Sequence, residues 1–193
     1  LIRWEHPENG LMSPLDFLPI IEGTPLENKV GNWVIDSALQ QLDDWQLQNI
    51  VLEVSINISS NHLLSSFFVD NLEAALAKHP SVDQHLLQLE ILESSALGDV
   101  EKIRSIIVQC RDRFGISVAL DDFGTGYSSL THLRNLPAST IKIDQSFVRD
   151  MLDDPNDYTI IDGVIGLAQS FNRNVIAEGV ETSSHGLMLL VMG

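Results

Sequence analysis

Runs of apolar, β-favouring residues alternate along this chain with runs of helical period, and that rhythm limits the possible folds more than any other feature. Ile50 to Ile58 precedes His62 to Lys78, Leu86 to Leu92 precedes Val100 to Phe114, and Ile116 to Leu120 precedes Ser128 to Leu136. Thr140 to Ile143 leads to a short helix near Phe147, a longer helix covers Tyr158 to Phe171, and Asn174 to Ala177 leads to a helix over Thr182 to Leu190. Repeated βα units predict an α/β chain. Strands that are apolar on both faces, as Val118-Ala-Leu120 is, predict a buried parallel sheet. Ahead of the first clear strand, Ser13-Pro14 opens a helix over Leu15 to Ile21, and Val30 to Trp45 carries apolar residues at helical spacing.

A closed (β/α)8 barrel and an open doubly wound sheet both satisfy this order. Polar residues separate them: Asn57, Glu90, Asp121, Asp144 and Glu178 each fall at or just past the end of a different strand. Five strand ends bearing polar groups favour a barrel mouth. With 44% hydrophobic and 20% charged residues and no internal repeat, residues 1–193 read as one globular domain.

Charge narrows the partners. A net charge of −16 repels a nucleic acid polymer, yet clustered carboxylates suit small phosphate esters once they hold divalent cations. The chain has no run of 18 apolar residues and no cationic, apolar leader, and its single cysteine, Cys110, excludes an internal disulfide. We therefore expect a cytoplasmic domain whose parent protein could be tethered to a membrane. Cys110 lies within a helical pattern and reads as packing, and the six histidines lack close metal-ligand spacing.

Asp121-Asp122-Phe-Gly-Thr-Gly-Tyr-Ser-Ser129 follows an apolar strand, where adjacent carboxylates can bridge cations or cap a helix. Asn57 and Glu90 add hard oxygen donors, which suit Mg²⁺ or Mn²⁺. Asn57 also has a plain reading, as a strand-end hydrogen bonder. Strand alternation puts Lys142 and Asp144 on one face, and a buried lysine requires either a salt bridge to Asp144 or a neighbouring carboxylate, or a catalytic role. Glu178 continues a buried strand, and Glu181 precedes the next helix, whose N-terminus it would favour.

Taken in order, Arg3-Trp4, Asn57-Ile-Ser59, Glu90-Ile-Leu-Glu-Ser94, Asp121-Asp-Phe-Gly-Thr-Gly-Tyr-Ser-Ser-Leu130, Lys142-Ile-Asp144 and Glu178-Gly-Val-Glu181 resemble the motifs of EAL domains, the cyclic-di-GMP-specific phosphodiesterases. The resemblance covers essentially the whole chain. It implies a TIM-like (β/α)8 barrel of the EAL type and hydrolysis of cyclic di-GMP to linear pGpG with two Mg²⁺ or Mn²⁺ ions. In that scheme Asn57, Glu90, Asp121, Asp122 and Glu178 ligate metal. Lys142, Asp122, Glu178 and Glu181 form the catalytic group, and Lys142 holds the attacking water. Arg3, Pro14 and Asp144 contact substrate, and Glu93 steadies the loop from Asp121 to Ser129. The resemblance further implies a homodimer through that loop region and a fused sensory or GGDEF domain outside these residues. A catalytically inactive cyclic di-GMP receptor is the alternative.

Three departures from the family pattern stand out. Only the leucine of the name-giving Glu-Ala-Leu triplet is present, as Leu1; the expected closing strand and its Gln-Gly motif lie beyond Gly193; and Leu92 stands where the family has threonine. The barrel is therefore expected to be incomplete at both ends, lacking the first strand with the signature glutamate and the closing strand.

Overall fold

In a computed structural model, residues 1–94, 99–125 and 133–193 are described, and they divide into two compact units, Leu1–Leu87 and Gln88–Gly193. The first unit opens with an antiparallel hairpin, β1 (Trp4–His6) and β2 (Gly10–Met12). Two helices follow, α1 (Pro14–Ile21) and α2 (Pro25–Leu47), then strand β3 (Val54–Asn57) and helices α3 (Ser60–Leu63) and α4 (Phe68–Lys78). The hairpin is absent from the sequence reading, because three-residue strands are too short to show a period.

Two expected boundaries move. Helix α2 begins at Pro25, five residues before the predicted start, because Thr24-Pro25 supplies a cap position and a first-turn proline. The run from His62 to Lys78 is not one helix but α3 and α4, which end and restart around Leu64 to Phe67. Ser65 and Ser66 sit in this break and are poor at holding a helix together. In α2, Ile35, Ala38, Leu39 and Leu42 form the buried stripe, and Phe68, Leu72, Ala75 and Leu76 do so in α4.

The second unit is a run of parallel strands and helices. Strands β4 (Leu87–Leu92), β5 (Ser117–Phe123), β6 (Thr140–Ile143) and β7 (Asn174–Ala177) lie side by side in that order, each parallel to the next. Helices α5 (Val100–Phe114), α6 (Gln145–Asp150), α7 (Pro155–Ser170) and α8 (Ser183–Met192) also belong to it, and the first five residues of the helix expected over Ser128 to Leu136 lie outside the described residues. Asp99 caps α5, accepting from the Lys102 backbone N–H at 3.1 Å, and Asp154-Pro155 opens α7. The α/β expectation holds. Strand β6 is buried along its whole length and β5 nearly so, which is the pattern of a parallel sheet covered on both faces.

Against these strands pack Ile103, Ile106, Ile107 and Cys110 of α5 and Ile161, Val164, Ile165 and Ala168 of α7. Burial pushes the Cys110 thiol up to about 12, so it is chemically quiet and serves as packing, as its place in the helical pattern predicts. Strand β5 is irregular: its pairing with β6 shifts register between Leu120 and Phe123. No helix among the described residues is long and apolar enough to cross a membrane.

Candidate active site

The centre of the second unit's polar cluster is Lys142, on β6. Its Nζ donates to Glu90 Oε2 at 3.0 Å, Asp121 Oδ1 at 2.9 Å and Glu178 Oε1 at 2.7 Å. Glu90 comes from β4, Asp121 from β5, and Glu178 is the first residue after β7, so parallel neighbours deliver all four groups to one place. Lys142 is 8% exposed, and Glu90 and Asp121 are 7% exposed, so none of them is solvated as an ordinary surface charge. Isolated charges at such depth cost several kcal/mol each, and mutual pairing is what makes the arrangement tolerable. Burial alone would lower the pKa of Lys142. Hydrogen bonds that it donates to Glu178, Asp121 and Glu90 outweigh it and hold the ammonium above the usual lysine range. Lys142 is thus a permanent cation and donor at neutral pH. One positive charge faces three carboxylates, and the cluster keeps a negative surplus.

The salt bridge that sequence alone offered for Lys142 goes to these carboxylates. Asp144 lies just past β6 and instead caps α6, accepting from the Ser146 backbone N–H at 2.9 Å and from the Ser146 hydroxyl. Burial raises the Asp144 pKa, but these bonds and one from Asp122 outweigh it and keep the carboxyl below its ordinary range. Glu90 also departs from expectation, lying inside β4 and not at its end.

Beyond Asp121, strand β5 continues through Asp122 to Phe123, with Asp122 in the left-handed region at φ 53°. Several hydrogen bonds fix this turn. The Asp122 N–H donates to Asp121 Oδ1 at 3.2 Å, the Glu93 N–H to the Asp121 carbonyl at 2.9 Å, and the Thr125 hydroxyl to the Asp122 carbonyl at 2.8 Å. Glu93, 1% exposed, accepts from the Gly124 N–H at 3.0 Å, which puts a buried carboxylate directly beneath the loop it was expected to steady.

Asp122 is pushed up to about 6, first by burial and then by Asp121, Asp144 and Glu178 beside it. A carboxyl with a raised folded pKa stabilises the fold below its unfolded value and loses that contribution as pH rises through the folded value. In metal-free protein, Asp122→Asn should therefore melt like the wild type near pH 4 and at a higher temperature near pH 7.5. Asparagine also tolerates the left-handed backbone. Thermal melts in chelator at the two pH values test this, and equal melting at pH 7.5 would refute it.

Asp121, Asp122 and Glu178 each offer an oxygen within 4.8 Å of the others'. Three carboxylate oxygens so grouped, already in negative surplus, fit a hard divalent cation of the Mg²⁺ or Mn²⁺ class. Glu90 approaches the same group through Lys142.

Four further site residues are expected from the sequence, Glu181, Arg3, Pro14 and Asn57. Glu181 is exposed, three residues beyond Glu178, where its charge is felt by Arg149. Arg3, Pro14 and Asn57 belong to the first unit: Arg3 donates to the Ile2 carbonyl at 2.9 Å, Pro14 opens α1, and Asn57 ends β3. Asn57 is exposed, so its amide needs no buried partner. Residues 126–132, which include the last four of the expected dimer loop from Asp121 to Ser129, lie outside the described residues.

Two residues that touch the acidic loops went unnoticed in the sequence, Gln145 and Phe147. The only cue to them is that each stands opposite a glycine following an acidic residue.

The EAL domain family profile matches residues 1–193. A cyclic di-GMP phosphodiesterase of Pseudomonas aeruginosa is 41% identical over 94% of this chain and 31% of its own length. The cyclic di-GMP phosphodiesterase PdeR of Escherichia coli is 37% identical over 100% of this chain and 29% of its own. The chain thus spans about a third of the length of these relatives. Among solved structures, the MucR phosphodiesterase in complex with c-di-GMP superposes with TM-score 0.92 at 37% identity, covering 100% of this chain and 78% of that one. The EAL enzyme Bd1971, bound to cAMP and cyclic di-GMP, gives 0.90 at 35% identity over 99% of this chain and 52% of that one. The expected TIM-like α/β fold of the EAL type is borne out by these likenesses. On profile, identity and fold together, the chain belongs to the EAL domain family.

Proposed function

We propose that this chain is the catalytic domain of a cyclic di-GMP phosphodiesterase that cleaves one phosphodiester bond to give linear pGpG. The observation that carries the reading is the grouping of Asp121, Asp122 and Glu178 around shared space beside the buried Lys142 ammonium. A substrate with two negative phosphates would be repelled by that surplus of carboxylates unless divalent cations offset it.

Two Mg²⁺ or Mn²⁺ ions fit this scheme, with Asp121, Asp122 and Glu178 as the holding set, Glu90 adjoining it, and Asn57 added on resemblance. Bound there, they would supply charge neutralisation at the phosphate and acidify water. The protein's own groups do the rest. Lys142 would orient the attacking water through the water's lone pair, with an N–H now given to one of its three carboxylates. Asp122, beside the same space, would accept a proton from that water. The water oxygen bonds to phosphorus as the bond from phosphorus to the leaving sugar oxygen breaks, and that oxygen gains a proton. Glu93 keeps the turn after Asp121 in place. Arg3, Pro14 and Asp144 serve the substrate, and Glu181 supports the acidic loop. We also place the domain in the cytoplasm, as a homodimer, fused to sensory or GGDEF partners.

The test is release of pGpG from cyclic di-GMP by the full-length protein, with Mg²⁺, with Mn²⁺ and with chelator. Turnover with either metal and none with chelator is the expected result. Tight binding of cyclic di-GMP without hydrolysis would make the domain a receptor, and turnover in chelator would overturn the metal reading.

A further inference from the structure

The short helix α6 touches both acidic loops at the same kind of point. Gly124 follows Asp122 by two residues at φ 102°, and a Cβ placed on it would lie 3.1 Å from the Phe147 ring. Gly179 follows Glu178 directly at φ 69°, and a Cβ there would lie 2.7 Å from Gln145 Cβ and 3.3 Å from Gln145 Cα. The contact at Gly179 is closer than a real side chain accepts, that at Gly124 is tighter than most, and both glycines hold backbone angles that other residues resist. Between the two contacts, Asp144 caps the same helix and hydrogen-bonds the Asp122 side chain. The Glu178 N–H is tied to the Ile143 carbonyl, at the end of the strand leading into α6, at 3.1 Å.

We propose that the first turn of α6 is the common seat that sets the spacing of Asp122 and Glu178, with Phe147 and Gln145 as positioning residues under Gly124 and Gly179. This rests on the reading of the cluster as a divalent-cation site. Neither residue reaches a ligand oxygen: each acts by fixing the backbone that carries one. The two carboxylates come from β5 and from beyond β7, on either side of β6, so a support following β6 can hold both against one reference. Supports of this kind typically change metal affinity by about ten- to a hundredfold when removed.

The experiment uses the full-length protein and Mn²⁺ as the probe, with free Mn²⁺ read by electron paramagnetic resonance and thermal melts in chelator alongside. Gly179→Ala should weaken Mn²⁺ binding at least about tenfold. Gln145→Gly added to it removes the colliding Cβ and should recover much of that loss, as a purely local strain in Gly179→Ala would not. Phe147→Ala should weaken binding similarly and Phe147→Leu less. Should Gly179→Ala fail to fold, recovery of both folding and binding in the double variant supports the seat, and a double variant no better than the single overturns it. Wild-type affinity in Phe147→Ala, or additive losses in the double variant, would also overturn it. Wild-type protein that binds Mn²⁺ no better than Asp121→Asn would bring down the cation-site reading, and this inference with it.

Discussion

On the proposed function, Asp121→Asn should lower turnover of cyclic di-GMP by about a thousandfold or more while leaving the fold intact. Asp121 belongs to both halves of the site: one of its oxygens takes the Lys142 ammonium, and its carboxylate is part of the three-oxygen group suited to a cation. Asparagine keeps the shape and the oxygen but removes the charge and turns one acceptor into a donor facing an ammonium. Cation assistance in phosphate chemistry is worth several kcal/mol, and about 4 kcal/mol corresponds to about three decades in rate. Steady-state pGpG release with a parallel Mn²⁺ titration decides the matter. Activity within tenfold of wild type, at saturating metal, would remove Asp121 from the site.

Lys142→Met separates charge balance from chemistry. Without the ammonium, Glu90, Asp121 and Glu178 are left as close, shielded carboxylates with no counter-charge. Breaking a buried pair by deleting one partner costs about 3 to 5 kcal/mol. For a domain of this size about 3 kcal/mol lowers the melting temperature by roughly 10 °C. Millimolar Mg²⁺ should return most of that loss, because an ion bound only by the folded state stabilises it by mass action. Turnover should not return with it, since the donor that orients water is gone. Melting curves with chelator and with Mg²⁺, beside rates, check both halves. A variant that melts like wild type in chelator would show that the carboxylates do not depend on Lys142.

The sequence carried the frame of the second unit well. Helix α5 and strands β6 and β7 match their expected bounds, since Asp99 caps the helix and short runs holding β-branched residues mark the strands. Alternation also pointed Lys142 inward. Which acids it meets was not readable, because Glu90, Asp121 and Glu178 are far from it in the chain and meet it only when parallel strands align. Of the partners that the sequence left open for Lys142, neighbouring carboxylates hold and Asp144 does not, and a capping signal for Asp144 was present: Asp144-Gln-Ser146 before a short helix is a common N-cap arrangement. The seat formed by Gln145 and Phe147 left no trace in residue type, since one is a neutral amide and the other an apolar ring, and their meaning lies in what faces them. In the first unit, the break between α3 and α4 escaped notice because a helical period continues across it.

The irregularity in β5 has a consequence for inheritance. In an ordinary strand, consecutive side chains go to opposite faces, so neighbouring aspartates would be parted by the thickness of the sheet. Here the pairing slips between Leu120 and Phe123 and Asp122 turns left-handed, and both acids reach one spot. Asp121 and Asp122 are the only residues between those points, so the slip cannot be removed by deletion without losing an acid. A change that returned Asp122 to extended backbone would scarcely alter hydropathy or overall charge, yet it would send that side chain to the opposite face, so the trait that evolution has to guard in this stretch is the path of the backbone as much as the kind of residue.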